Sequence, residues 1–165
     1  MAIQQEKVIQ DLKERFVEKI KEVSAPFGDD TVVIERDSLL DIIKFLKSEP
    51  YDFAMLLDLT CVDYMGQPDR FEMVYHLFSL SNNLRLRIKT RLPEEGPSVD
   101  SLTPVWKNAN WLEREAYDMF GVRFNGHPYL KRLFMYDGFE GHPLRKDYPL
   151  RRRQPIIPLR KQDDI

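Results

Sequence analysis

The first apolar positions, Val8, Ile9, Leu12, Phe16, Ile20 and Val23, recur at steps of mostly three or four residues. That spacing places them on one side of a 3.6-residue helix and predicts an amphipathic helix over residues 3–23. Pro26 and Gly28 break the pattern. Residues 31–35 are short and β-branched, as in a strand. Asp37 or Ser38 can cap a second helix, with Asp41 three residues after Ser38. Leu39, Leu40, Ile43 and Leu46 form its apolar face, and Pro50 lies beyond its end. Three strands are then predicted over 53–64, 71–80 and 84–92. In the last, Leu84, Leu86 and Ile88 alternate with Arg85, Arg87 and Lys89, so one face is buried and the other is wet and basic. The intervening turns are of hairpin length, which requires antiparallel pairing. The expected fold class is α+β: a two-layer domain with helices on one face of a largely antiparallel sheet.

Residues 101–121 read as helical, with Thr103-Pro104 as the start and Asn108 and Asn110 as points that can split the segment in two. Gly121 is placed to end the helix in a left-handed conformation. On a wheel, Leu112, Ala116, Met119 and Phe120 share one face, and Trp111, Arg114, Glu115 and Asp118 share an adjacent arc. Arg114 and Asp118 are four apart and can pair. A run such as Glu113-Arg114-Glu115 is ordinarily a solvated helix face. Here Trp111 and Phe120 bracket the charges, which points to a buried contact where each charge needs a partner.

Charge divides the chain. Residues 1–120 hold 15 Lys/Arg and 22 Asp/Glu, whereas residues 121–161 hold 10 and 3. Five of the 11 prolines follow Gly121, and four of the seven glycines lie from Gly121 onward. This predicts an acidic body over 1–120 and an extended, basic tail over 121–165 that makes few contacts with the body. The tail is rich in anchors, among them Tyr129, Leu130, Phe134, Met135 and Tyr148, which does not fit a disordered arm. It fits a segment laid along a partner protein. Gly126-His127-Pro128 recurs as Gly141-His142-Pro143, and each is followed by a basic pair, Lys131-Arg132 and Arg145-Lys146. Proline holds each histidine extended, and nearby positive charge keeps the rings neutral. No cysteine, third clustered histidine or close aspartate pair completes a metal set around them. His76 lies in a strand pattern and is expected to be structural.

Other classes are narrowed by composition. The net charge of −2 argues against a dedicated nucleic-acid binder, although Arg151-Arg152-Arg153 and the interleaved aromatics would be its only footing. A hydrolase using Glu115, Asp118 and His127 lacks a nucleophile motif. Cys61 is the single cysteine, so the chain alone holds no disulfide framework, iron–sulfur cluster or Cys-rich zinc site. No apolar run approaches the roughly 20 residues of a spanning helix, and the N-terminus has no signal-peptide pattern. A reducing, cytoplasm-like compartment is expected, with membrane association only through a partner. No G-x-G-x-x-G and no P-loop occurs.

The stretch from Trp111 to Leu150 resembles the 30 kDa-type (C-type) subunit of proton-pumping NADH-quinone oxidoreductase, respiratory complex I. That family's first hallmark is E-R-E, two residues, an acidic residue and two apolar residues, then a histidine, a basic residue and an apolar pair. Here these are Glu113-Arg114-Glu115, Asp118-Met119-Phe120, His127, Lys131 and Leu133-Phe134. The second, G-H-P-L-R-K-D-Y/F-P, is Gly141 to Pro149 without a gap. LTCVDY at 59–64 and FEMVYHLFSL at 71–80 also match, so the resemblance runs from about residue 30 to 155, and the ends match no motif.

The resemblance implies a scaffold subunit of the peripheral, quinone-module arm, with no redox centre of its own. It implies packing against the large quinone-site (D-type) subunit, near the small (B-type) subunit that carries the last iron–sulfur cluster. FMN and the clusters belong to partner subunits. The assembled enzyme would pass electrons from NADH to quinone and translocate protons. The place implied is peripheral, on the cytoplasmic side of the cell inner membrane. Related hydrogenases and dehydrogenases with other donors reuse the module, and this chain does not name the donor. No catalytic, cofactor-binding or metal-binding residue is expected. The expected partner-docking residues are Glu113, Arg114, Glu115 and Asp118 on the helix, joining the body to the tail or to the large quinone-site subunit. On the tail they are His127, Arg132, His142, Arg145, Lys146 and Asp147.

Overall fold

The computed structural model describes residues 4–151 and 153–155. Ile3 of the predicted first helix, Arg152 and residues 156–165 of the tail lie outside them. Helix α1 is Gln5–Arg15, followed by strands β1 (Ile20–Ser24) and β2 (Thr31–Ile34) and helix α2 (Leu39–Lys47). Strands β3 (Met55–Asp63), β4 (Phe71–Ser79) and β5 (Leu84–Leu92) form two successive hairpins. A short strand β6 (Ser98–Asp100), helix α3 (Ala109–Phe120) and strand β7 (Arg123–Asn125) follow.

The main sheet has the order β1-β2-β5-β4-β3. All its pairs are antiparallel except β2 with β5, so the fold is α+β with a mostly antiparallel sheet, as expected. Its inner face carries Leu56, Leu59 and Cys61, then Phe71, Met73, Tyr75 and Leu77, then Leu86, Ile88 and Leu92. These join Val8 and Leu12 of α1, four residues of α2, and Ala116, Met119 and Phe120 of α3 in one core. Each fully buried aliphatic or aromatic side chain contributes roughly 1.5–3 kcal/mol. The outer face pairs the β5 cations with β4: Lys89 and Arg91 meet Glu72 at 2.9 and 2.8 Å. His76 stands between Asp58 and Arg87 across the strands, a structural position.

The predicted helix over 3–23 is two elements. Phe16 leaves helical geometry at φ −121°, ψ 42°, and Ile20 starts a strand. The cause is a bulge. Ile20 pairs with Ile34 and Val23 with Val32, with a register shift between Ile20 and Glu22. The extra residue puts two apolar side chains three apart on one face of a strand, which imitates helical spacing. Ser38 does precede α2, but its hydroxyl donates back to the Glu35 carbonyl at 2.7 Å and does not cap the helix. Thr103-Pro104 opens a turn rather than a helix, with Val105 and Trp106 donating to the Leu102 carbonyl. The helix begins at Ala109 and is not split at Asn110. Asn108 is drawn to the sheet, where its side chain donates to the Leu56 carbonyl at 2.8 Å. The parallel pair β6–β7 has no signature in the sequence; three residues each are too few to show a period.

The tail is also corrected. Beyond β7 the described residues form turns with no further helix or strand. They do not stand apart with few contacts: they lie on the body, tied to α3 and to the end of β3. The residues expected to reach a partner find donors and acceptors in their own chain first.

Candidate functional site

The chemistry of the two hallmark segments converges where the tail crosses α3. Asp118 is fully buried in the last turn of that helix. One carboxylate oxygen accepts three successive backbone N–H groups, from Leu133 (2.9 Å), Phe134 (2.8 Å) and Met135 (2.9 Å). The other accepts Arg132 Nη1 at 2.9 Å. Successive amides turned inward make an anion-binding concavity, filled here by the chain's own carboxylate. Burial alone would raise the Asp118 pKa; the three amides and the guanidinium outweigh it and hold the group below the usual carboxylate range. Arg132 also donates to the Gly141 carbonyl at 3.1 Å.

Arg114 does not pair with Asp118, as its spacing predicts. Its guanidinium reaches the tail instead, donating to the carbonyls of Lys131 (3.0 Å) and Arg132 (3.1 Å). It rests against the rings of Trp111 and Tyr129, 5.1 and 5.5 Å from their centroids.

The second hallmark completes the C-terminus of α3. The last carbonyls of a helix have no partner within it. Here His142 Nδ1 meets the Asp118 carbonyl at 3.0 Å, Leu144 N–H donates to the Met119 carbonyl at 3.1 Å, and Arg145 Nε donates to the Phe120 carbonyl. The Arg145 cation also suits the negative end of the helix dipole. Gly121 permits this closure. Its φ is +78°, and a Cβ there would come within 2.6 Å of both His142 Nε2 and Arg145 Nη2.

A third tie lies at the end of β3. Arg70, 2 % exposed, grips Asp63 with two hydrogen bonds of 2.8 Å and also reaches Glu94 (2.7 Å) and Asp147 (3.0 Å). The Lys146 N–H donates to Asp63 at 2.8 Å, and the Lys146 charge adds a smaller pull on the same carboxyl. The Arg70 hydrogen bonds hold the Asp63 and Asp147 carboxyls below their usual range. Asp63 and Arg70 are not among the residues that sequence reasoning singles out. A signal is present: the alternation in β3 puts Asp63 on the inward face with Leu59 and Cys61, where a charge requires a partner.

Glu113 is buried at the start of α3. Ser101 Oγ donates to it at 2.7 Å and the Leu102 N–H at 2.6 Å. Burial pushes its pKa up to about 7 against the pull of these two bonds. His127 Nε2 lies 3.9 Å away and 3.2 Å from the Asn110 carbonyl. The Tyr129 N–H donates to His127 Nδ1 at 2.9 Å, so the ring proton sits on Nε2. In His142 a carbonyl faces Nδ1, so that nitrogen carries the proton. Burial lowers both histidine pKa values, which keeps the rings neutral.

The junction thus gathers Glu113, Arg114, Asp118, His127, Arg132, His142, Arg145, Asp147 and the Lys146 backbone. Glu115 stays exposed on α3. Around the junction Trp111 (60 %), Tyr129 (54 %), Phe134 (61 %) and Leu144 (54 %) remain exposed. Among the described residues no group of three or more His, Cys, Asp or Glu is placed to hold a metal ion, and no helix is long and apolar enough to cross a membrane. Cys61 is buried, and burial pushes its thiol up to about 12.

Comparison with known proteins gives a consistent answer. The family described as "Respiratory-chain NADH dehydrogenase, 30 Kd subunit" matches residues 32–154. The chain is 49% identical over 140 residues to the C-type subunit of NADH-quinone oxidoreductase from Geobacter sulfurreducens, covering 84% of this chain and 86% of that one. It is 48% identical, with the same coverage, to the protein of the same name in Citrifermentans bemidjiense. Among solved structures it resembles "Nqo5 of the trypsin-resistant fragment (1-134)", with a TM-score of 0.68 and 30% identity, covering 78% of this chain and 100% of that one. One component of "the membrane-bound sulfane sulfur reductase (MBS), an archaeal respiratory membrane complex" shares the fold at a TM-score of 0.73 and 23% identity, covering 88% of this chain and 85% of that one. With the match spanning both hallmark segments and most of the sheet, the chain belongs to the family of the respiratory-chain NADH dehydrogenase 30 Kd subunit, the C-type subunit of complex I.

Proposed function

We propose that this chain is a non-redox scaffold subunit in the quinone-module arm of a proton-translocating NADH-quinone oxidoreductase. It docks on the large quinone-site (D-type) subunit, next to the small (B-type) cluster-bearing one, and holds no cofactor; FMN and the iron–sulfur clusters sit in partner subunits. It is peripheral, on the cytoplasmic side of the cell inner membrane, and has no catalytic activity alone. The body over 1–120 is the frame, and the segment over 121–165 is the partner-binding element.

One observation carries this reading: most charged side chains of the two hallmark motifs, Asp118, Arg132 and Arg145 among them, are spent on hydrogen bonds inside the chain, while large apolar side chains beside them stay exposed. Glu113, Arg114, Asp118, His127, Arg132, His142, Arg145, Lys146 and Asp147 therefore serve docking by fixing the tail's path. Trp111, Tyr129, Phe134 and Leu144, with Glu115 at the rim, make the contact. Aromatic anchors on a rigid frame are what carries binding energy at protein interfaces.

The test is co-expression with the large quinone-site subunit and co-purification on a tag placed on that partner. The wild-type chain should co-purify. Changing Trp111, Tyr129 and Phe134 to Ser should abolish capture while the isolated variant keeps its melting temperature within a few degrees. Full capture of that variant would refute the docking surface. NADH-dependent quinone reduction in the reconstituted complex, and none in the isolated chain, would identify the donor and the non-catalytic role.

A further inference from the structure

Glu113 is fully buried and has two donors, Ser101 Oγ and the Leu102 N–H, but no paired Lys or Arg among the described residues. A buried carboxylate without a countercharge is costly to ionise. The nearest candidate is His127, whose side chain is also fully buried, 3.9 Å away. It cannot serve as a cation without local rearrangement. Its Nδ1 already accepts the Tyr129 N–H at 2.9 Å, and protonating that nitrogen would set two N–H groups against each other. The other groups facing the pair offer no relief. The Tyr75 hydroxyl of β4, fully buried and without a hydrogen-bond partner among the described residues, feels the Glu113 charge together with that of Asp100 in β6. Arg114, beside Glu113 on α3, acts on His127 to oppose its protonation. Thr103 hydrogen-bonds Ser101 at 2.8 Å and is neutral.

We propose that a proton on Glu113 latches the first turn of the tail, His127 to Tyr129, onto α3, and that its loss to solvent releases the turn. With the proton bound, Glu113 and His127 are both neutral and the Tyr129 amide stays on Nδ1. When the proton leaves to solvent, the buried carboxylate keeps its two donors but has no countercharge, and only water can relieve it. Water reaches it when the neutral His127 ring, 3.9 Å away, swings off, which gives up the Tyr129 amide and with it the seat of Tyr129 against Arg114. Burial that pushes the Glu113 pKa up to about 7 puts this exchange within the physiological range. The sign follows: the folded value lies above that of an unfolded glutamate, so the contribution is complete below about pH 4.3 and is lost as pH rises through about 7. This inference concerns the isolated chain and does not depend on the docking reading.

The experiment uses the full-length 13C,15N-labelled chain from about pH 5 to about pH 9, reading the Glu113 carboxyl shift and exchange of the Tyr129 amide, corrected for intrinsic base catalysis. The carboxyl should titrate near 7, and protection at Tyr129 should fall at least about tenfold between about pH 5 and about pH 7 and level off above that, tenfold being the equivalent of one pH unit. Glu113→Gln, which carries its hydrogens permanently, should keep Tyr129 protected throughout. A carboxyl midpoint below about 5.5, or Tyr129 protection that is flat in the wild type, would overturn the latch. Should Glu113→Gln fail to fold, the wild-type titration alone decides.

Discussion

Along β4 the five residues from Phe71 to Tyr75 are all buried, whereas from Gly126 to Leu150 no residue as a whole is. The first region is held by apolar surface removed from water. The second is held by charges and backbone groups that meet at a few points: Asp118, the end of α3, and Arg70. Burial is non-directional and spread over many side chains, so it tolerates small changes of position. The tail's ties are directional and few, so each one fixes the path of the chain. This explains why the second region needs long, specific motifs and the first only a pattern.

The contrast is broken most thoroughly by acid. Asp63, Asp118 and Asp147 are all held below the usual carboxylate range, so what they contribute is present above about pH 4 and is lost as pH falls through their depressed values. The tail should become cleavable by an acid protease below about pH 3 while far-UV circular dichroism of the sheet persists. Asp118→Ala should follow in size. It leaves Arg132 and three amides without their acceptor, a loss of about 3–5 kcal/mol, read as trypsin cleavage at Lys131 and Arg132. Gly121→Ala should cost about 1–3 kcal/mol in chemical denaturation, since alanine is strained at that φ and its methyl meets His142 and Arg145. Arg114→Ala should cost least, about 1–2 kcal/mol, because it loses two bonds to carbonyls and leaves no carboxylate stranded. Equal losses from Asp118→Ala and Arg114→Ala would mean that the tail is held by general contact rather than by a few points.

The body is largely legible in sequence because its elements are long enough to display a period, as β5 does from Leu84 to Leu92. Ile20 and Val23 mislead because a bulged strand can carry a spacing of three. The tail's attachment is legible only in part. Glu113 and Asp118 stand out as charges among apolar anchors, yet spacing pairs Arg114 with the wrong neighbour. Spacing along a helix shows which groups can meet within that helix, and nothing of a carbonyl seventeen residues away. Asp63 and Arg70 escape for the same reason: their partner Asp147 lies more than seventy residues on.

The cap on α3 has a consequence for the order of events during synthesis. Three carbonyls at the end of that helix are closed by residues 142–145, so the helix end stays open until the ribosome has added about 25 more residues, roughly 1–5 s at ordinary rates. A chain interrupted in that interval has its sheet and core but an unfinished helix and an unanchored tail. Only a chain translated past Arg145 can therefore present the finished surface.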